Sequence, residues 1–125
     1  MLRAAARRIG SGYDDALAPF GINIAQYSLL RTIERRQPLS LTELGRLAEL
    51  DRSTIGRNVR VLERSGLVGT SRGQDDLREA VVALTDRGTA LLNESRPVWE
   101  ACQAEIETRL GAVKVTALQE ILRSL

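Results

Sequence analysis

Four arginines stand close together in the segment DRSTIGRNVRVLERSGLV, which covers residues 51–68. They are Arg52, Arg57, Arg60 and Arg64, and a single acid lies within their span. The whole chain of 125 residues carries a formal net charge of only +2, so the positive charge of this segment stands out. A guanidinium group presents planar hydrogen-bond donors that match phosphates and base edges as well as carboxylates. The arginines could therefore bind a polyanion, provided that one structural element turns them to the same side.

Three helix starts around this segment share one capping pattern, an N-cap residue followed three positions later by a partner. The three pairs are Asn23 with Gln26, Ser40 with Glu43, and Asp51 with Thr54. Pro38 predicts the end of the first helix, and Gly66 predicts the end of the third. The second helix is expected over 41–48 and the third over 52–64. Because only a few residues separate these two, the pattern indicates a helix-turn-helix.

The helix expected over 52–64 has two different faces at about 100° per residue. Ile55, Val59 and Leu62 fall together on one side and predict the face that packs into the core. The polar residues near the opposite pole are Ser53, Arg57, Arg60 and Arg64. Any surface helix has a polar face, but acids usually alternate with the bases on it. The arginine face therefore favours nucleic-acid binding and leaves a plain solvated face as the alternative.

The segment after Gly66 has the character of two short strands. Residues 67–72 and 79–84 are expected to pair, because the GQDD sequence between them is typical of a hairpin turn. A hairpin directly after a helix-turn-helix predicts a winged helix. Arg72 and Arg78 flank the turn, where their side chains could enter a minor groove. A plain solvated hairpin is the alternative.

The segment DDLREAVVALTDRG resembles the MarR family of bacterial transcription regulators. The similarity rests on Asp76-x-Arg78, followed after five residues by Leu84-Thr85-x-x-Gly88. Upstream, LTELGRLAELDRSTIGRNVRVLERSGLV matches the family's two-helix segment. The resemblance implies a mainly α fold with a small β-hairpin wing, in which N- and C-terminal dimerisation helices flank a winged helix-turn-helix. It also implies that the helix after Asp51 enters the major groove and that the wing enters the minor groove.

Position along the elements divides the expected DNA contacts. The candidates for base-edge contacts are Ser53, Thr54 and Arg57, with Asn58 as a weaker one close to the buried face. The candidates for phosphate contacts are Arg60 and Arg64 on the same helix, and Ser40 and Thr42 at the start of the preceding helix. The candidates in the wing are Arg72, Gln74, Asp76 and Arg78, of which Asp76 is expected to orient Arg78. Arg52 points nearer to the core and is expected to form an internal ion pair.

We expect a single domain over 1–125, with dimerisation helices over 1–20 and 89–125 and a DNA-binding region over 22–88. The C-terminal apolar stripe consists of Leu118, Ile121, Leu122 and Leu125. Such stripes could pack within one chain, whereas the resemblance implies a homodimer whose two-fold axis matches a palindromic operator. Pro97 falls inside the long helix expected after Thr85, so that helix should kink or restart there.

The resemblance further implies a small-molecule effector, because many family members release DNA when a small, often aromatic, molecule binds near the dimerisation helices. The candidate pocket residues are Tyr13, Tyr27, Arg96 and Trp99, with Arg8 as another anchor for an anion. Simple filling of the core is the alternative for these aromatic residues. Cys102 lies on an apolar stripe, which favours a small buried side chain over an oxidant sensor.

Several functional classes are disfavoured by composition. The chain has no histidine, which is the commonest general base and metal ligand, and Cys102 is its single cysteine. We therefore expect no enzyme, no cofactor and no metal site. The sequence contains neither an apolar run long enough to span a membrane nor a signal peptide, so the cytoplasm is the expected location.

Three interpretations of function remain. The leading one is a sequence-specific DNA-binding transcriptional regulator, a homodimeric repressor on a palindromic operator. The second is a weakly specific architectural DNA-binding protein, and the third is a winged helix used for protein–protein contacts. Binding to different duplexes at a stated salt concentration distinguishes the three.

Overall fold

The computed structural model describes residues 1–73 and 78–125. Within these residues the helices are α1 (Leu2–Leu17), α2 (Ile24–Arg36), α3 (Leu41–Ala48), α4 (Arg52–Arg64), α5 (Asp86–Leu110) and α6 (Ala112–Ser124), with a 3₁₀ turn at Ala18–Phe20. The strands are β1 (Leu39–Ser40), β2 (Val68–Arg72) and β3 (Ala80–Leu84). The predicted mainly α fold with a small wing is confirmed, and α3 and α4 have the predicted bounds.

Side-chain caps start α2 and α3 as predicted, although the second cap is simpler than expected. The Gln26 N–H donates to Asn23 Oδ1 at 2.8 Å and the Asn23 N–H donates to Gln26 Oε1 at 2.9 Å, which completes a capping box. At α3, Ser40 Oγ accepts from the Glu43 N–H at 3.0 Å. The Glu43 carboxylate pairs with Arg46 instead of returning to Ser40, so the full box predicted there is wrong.

The core lies where α2, α3 and α4 meet the sheet and the first turns of α5. Its fully buried residues include Leu30, Ile33, Leu44, Val82 and Leu92. The predicted inner face of α4 is confirmed, because Ile55, Val59 and Leu62 are all buried. Each fully buried side chain of this size contributes roughly 1.5–3 kcal/mol to folding. This packing holds the opposite face of α4 toward solvent.

The wing belongs to a three-stranded antiparallel sheet in the order β1-β3-β2. Val82 of β3 lies opposite Leu39 on one side and Thr70 on the other. The sequence pattern does not predict β1, which has only two residues, the second of which also caps α3. Because β2 is an edge strand, one side of its backbone is open.

The start of α5 packs directly against Gly66 and Leu67, which follow the end of α4. Gly66 has a φ of 77°, and the Leu67 N–H returns to the Leu62 carbonyl at 3.0 Å. Thr85 caps α5 and also donates its hydroxyl to the Gly66 carbonyl at 2.6 Å. At Gly88 an added Cβ would lie 2.0 Å from the Leu67 carbonyl oxygen. Thr85 and Gly88 thus hold the first turn of α5 close to the residues that follow α4.

The long helix α5 continues through Pro97 as far as Leu110. Of the two expectations for Pro97, a kink or a restart, the restart is therefore wrong; the helix ends instead before Gly111, whose φ is 82°. The two segments on either side of that glycine are α5 and α6. Within the described part of the chain, no helix is both long and apolar enough to cross a membrane.

Candidate nucleic-acid interface

The N-terminal turn of α4 is ordered by Asp51. Its Oδ1 atom accepts the Thr54 backbone N–H at 2.8 Å and the Ser53 hydroxyl at 2.9 Å. These hydrogen bonds hold the pKa of the Asp51 carboxyl below its usual range, and the bond from the Thr54 backbone contributes most. The cap therefore stays ionised at neutral pH and fixes the first turn that the arginines follow.

The outer face of α4 carries the predicted polar residues. Ser53, Arg57, Arg60 and Arg64 are all exposed, whereas Thr54 and Asn58 are half-buried beside them. An Arg57 Nη atom donates to Thr54 Oγ1 at 3.4 Å, which aligns this guanidinium along the first turn. The sequence-based division of α4 into an apolar inner face and a basic outer face is the arrangement that the structure has.

A groove of about 450 Å³ lies between α4 and the sheet. Three arginines line it, namely Arg52, Arg57 and Arg60. Glu63 also lines it and carries a negative charge. Three guanidinium groups along one groove create a positive potential that attracts phosphates.

The beginning of α3 borders this groove. Arg52 is exposed and donates to Thr42 Oγ1 at 3.2 Å, so the expectation that it turns toward the core is wrong. Arg52 lies at the start of α4, where its long side chain reaches across the turn to α3. Thr42 is exposed, but Ser40 is half-buried and its hydroxyl is engaged as the α3 cap. Thr42 is therefore the better placed of these two residues for a phosphate contact.

The two wing arginines lie near each other, where β2 ends and just before β3 begins. Arg72 ends β2 and Arg78 precedes β3, and both are exposed and border one shallow depression. The Gly73 N–H donates to the Glu79 carbonyl at 2.8 Å, which closes the hairpin below its turn. The predicted wing residues Gln74 and Asp76 lie outside the described residues.

Three of the four candidate pocket residues form one aromatic stack. The Trp99 ring lies between Tyr13 and Tyr27, with ring centroids 6.3 Å and 5.6 Å away. The Arg31 guanidinium lies 5.8 Å from the Tyr27 centroid and 5.5 Å from that of Trp99. Arg31 is not among the predicted pocket residues, although its spacing of four residues from Tyr27 on a helix places the two side by side.

The fourth candidate, Arg96, is held by an acid. Its guanidinium donates to both carboxylate oxygens of Glu34, at 3.0 Å and 3.2 Å. Glu34 Oε1 also lies 3.9 Å from Arg31 Nε, so one carboxylate serves two guanidinium groups. This cluster therefore keeps a surplus positive charge next to the aromatic stack.

A second groove, of about 640 Å³, lies along the contact between α1 and α5. It is lined mainly by apolar residues such as Ile9 and Ile106, with Arg8 and Arg109 among its charged residues. Cys102 also lines it, and burial together with the nearby charge of Glu105 raises the pKa of its thiol. The thiol is therefore protonated at neutral pH, which disfavours attack on oxidants.

Comparison with known proteins identifies the fold and its lineage. The family model "MarR family" matches residues 22–80, a range that includes the helix-turn-helix and most of the described wing. A transcriptional regulator of Mycobacterium tuberculosis, MOSR, was solved in complex with DNA; it is 32% identical and has a TM-score of 0.81. The alignment covers 98% of this chain and 93% of that one. The chain belongs to the MarR family.

Other MarR-family proteins are similar over most of the chain. The HTH-type transcriptional repressor Rv2887 of M. tuberculosis is 29% identical over 110 residues, which are 88% of this chain and 79% of that protein. A mutant MarR from E. coli, complexed with operator DNA, superposes with a TM-score of 0.92 at 22% identity and covers 98% of this chain and 89% of that one. At this identity the E. coli structure supports the shared fold alone.

Proposed function

We propose that this MarR-family chain is a sequence-specific DNA-binding transcriptional regulator, a homodimeric repressor that binds a palindromic operator. The observation that carries the proposal is the exposed basic face of α4, with Arg57, Arg60 and Arg64 beside a wing that carries Arg72. The M. tuberculosis regulator at 32% identity was solved with DNA, and the relative Rv2887 is named a repressor. Both relatives support the same role here.

The contacts divide along α4. Ser53 and Arg57 lie in its first two turns and read base edges in the major groove, since recognition helices present their N-terminal residues to the bases. Arg60 and Arg64 lie further along and hold phosphates, which fix the register without reading sequence. Arg72 and Arg78 of the wing contact the adjacent minor groove.

The preceding helix adds to the phosphate contacts. Thr42 accepts a hydrogen bond from Arg52, and Arg52 lines the basic groove beside α4. The N-terminus of α3 also presents backbone N–H groups, for which an anion is a favourable partner. This corner therefore holds the DNA backbone beside the bases that α4 reads.

Dimerisation involves the segments 1–20 and 89–125, while 22–88 binds DNA. The exposed apolar residues of these outer segments include Leu2, Val113, Leu118, Ile121, Leu122 and Leu125. Leu122 is 70% exposed, and the groove between α1 and α5 is largely apolar. A second copy of the chain covers these surfaces in the proposed dimer. Its two-fold axis places the half-sites about 10 base pairs apart, or a multiple of that.

A small aromatic or anionic effector binds at the cluster around Trp99 and releases the DNA. Support comes from three stacked aromatic rings with the positive charge of Arg31 beside them. Trp99 is half-buried, so a ligand that contacts the stack from its exposed side would displace a ring. Such a displacement would move α5, which connects the dimerisation helices to the winged region.

The test is fluorescence anisotropy with labelled DNA from upstream of the chain's own gene and with a scrambled duplex. Both titrations belong at about 150 mM salt, because electrostatic affinity depends on ionic strength. Specific regulation predicts a preference of roughly a hundredfold or more for a true operator. Equal binding to all duplexes across the upstream region would support the architectural alternative. Binding to no duplex would support a winged helix that contacts proteins.

A further inference from the structure

One acid in the basic groove has a structural partner on the wing. Glu63 is the penultimate residue of α4 and lines the groove together with three arginines. A carboxylate in this place repels a phosphate backbone and so opposes DNA binding. Its presence therefore calls for a structural reason. The Glu63 Oε2 atom accepts the Thr70 hydroxyl at 2.6 Å and the Thr70 backbone N–H at 3.2 Å.

Thr70 is the central residue of β2, the edge strand of the sheet. Because its N–H donates to Glu63, this N–H points away from β3. On that side the described part of the chain has no strand that could accept it. The carboxylate therefore satisfies an open edge group that would otherwise need water. The contact also fixes the separation between the last turn of α4 and the middle of β2.

That separation determines where the wing meets DNA. Arg72 lies two residues beyond Thr70, or roughly 7 Å along the strand. Arg57 lies nearly two helical turns before Glu63, or roughly 9 Å along α4. One contact thus connects the element that reads the major groove with the element that carries the minor-groove arginines.

We infer that Glu63 is a positioning residue that holds the wing at a fixed distance from α4, so that both elements reach their grooves together. The inference rests on the proposed function. Glu63 touches no DNA in this arrangement and acts through Thr70. It sets the spacing between the bases that α4 reads and the flanking base pairs that the wing reaches.

The experiment compares a full operator duplex with one trimmed at both ends, where the wing would reach. In the natural protein, trimming weakens binding. Thr70→Val removes the hydroxyl at nearly constant shape, and the trimming penalty should shrink roughly three- to tenfold, the range for one hydrogen bond. In a Glu63→Ala background the same threonine substitution should change the penalty less than about twofold. Equal effects of Thr70→Val in the two backgrounds would overturn the inference.

The effect of the negative charge of Glu63 must be separated from its effect on the position of the wing. Glu63→Gln removes the charge but keeps an oxygen that accepts from Thr70, so the trimming penalty should remain while overall affinity stays equal or rises. Glu63→Ala should lose most of the penalty. Glu79→Ala is the matched control, since it removes a carboxylate from the same hairpin without touching the link. Identical penalties for Glu63→Gln and Glu63→Ala would show that only charge matters and would reject the positioning role.

A measurement without DNA keeps the inference separate from the proposed function. The Thr70 amide should exchange its hydrogen slowly in the natural protein and in Glu63→Gln, and markedly faster in Glu63→Ala. Fast exchange in all three proteins would remove the geometric basis of the inference. If the natural protein bound no duplex, the proposed function and with it the positioning role in DNA binding would fail, even where the amide is protected.

Discussion

The substitution Gly88→Ala tests the junction between α4 and α5 most directly. The added Cβ would lie 2.0 Å from the Leu67 carbonyl oxygen, so this backbone would have to move by at least about 1 Å. That carbonyl accepts the Thr85 N–H at 3.1 Å, and the movement would break the bond. Overpacking costs about 1–3 kcal/mol and the lost hydrogen bond about 0.5–1.5 kcal/mol. We therefore expect a destabilisation of about 2–4 kcal/mol, although alanine is the better helix former.

The assay is thermal and urea unfolding followed by circular dichroism at a fixed protein concentration. For a chain of this size the expected loss lowers Tm by roughly 8–15 °C. Gly56→Ala is the matched control, because it also lies inside a helix but its added Cβ meets no atom within 4 Å. That control should gain stability by up to about 1 kcal/mol. A Gly88→Ala protein with the Tm of the natural chain would refute the steric argument.

Four further predictions concern the interface, the cap, the dimer and the aromatic stack. Arg57→Ala should cost roughly 1–3 kcal/mol on the operator and flatten preference at one base pair, whereas Arg64→Ala should weaken all duplexes alike and reduce the salt slope by about one. Competition with single-base operator variants separates the two, and identical behaviour would reject the division of roles. The lowered pKa of Asp51 means that its cap stabilises the fold above the ordinary carboxyl pKa and that this contribution is lost as pH falls through the lowered value. Asp51→Asn can still cap the helix but does not titrate. In urea titrations its free energy of unfolding should therefore fall less steeply at acid pH than that of the natural protein, and an equal fall would contradict this. Leu122→Glu should convert dimers to monomers in sedimentation experiments, and a variant that stays dimeric would place the interface elsewhere. Trp99 fluorescence should change on addition of an aromatic acid or phenol that releases DNA; no change across a panel would count against an effector at the stack.

Local chemistry explains why so much of the DNA-binding region could be predicted from the sequence. Helix caps depend on residues three positions apart, and the bounds of α3 and α4 follow from Ser40, Asp51 and the glycine that ends α4. Helical periodicity then separated the buried Ile55 from the exposed Arg57. Neither inference requires knowledge of any distant contact.

The features that the sequence did not predict depend on distant contacts. Strand β1 has two residues and exists because Leu39 lies opposite Val82, which is far away in the chain. The partner of Glu63 is on the neighbouring strand rather than on its own helix, so helical spacing could not find it. The partner of Arg96 is likewise Glu34 on another helix, which helical spacing along α5 could not find. Charge partners across elements follow from topology, which a periodicity pattern does not contain.

The contacts around Leu67 connect the parts of the molecule that must act together. Its N–H ends α4 through the Leu62 carbonyl, and its own carbonyl accepts from Thr85 at the start of α5. Gly88 lets the first turn of α5 approach without space between the two backbones. Close-packed contacts of this kind transmit a displacement rather than absorb it.

In the proposed dimer α5 runs from the interface segments at its C-terminal end to the close-packed contacts around Leu67 at its N-terminal end. The spacing between the two recognition helices must match half-sites about 34 Å apart, which is one turn of DNA. A shift of α5 at Thr85 therefore changes that spacing without altering any residue that contacts DNA. We accordingly expect Gly88→Ala, where it still folds, to weaken operator binding more than non-specific binding, since only the operator requires both half-sites in register. An equal loss on both kinds of duplex would show that α5 does not set the spacing.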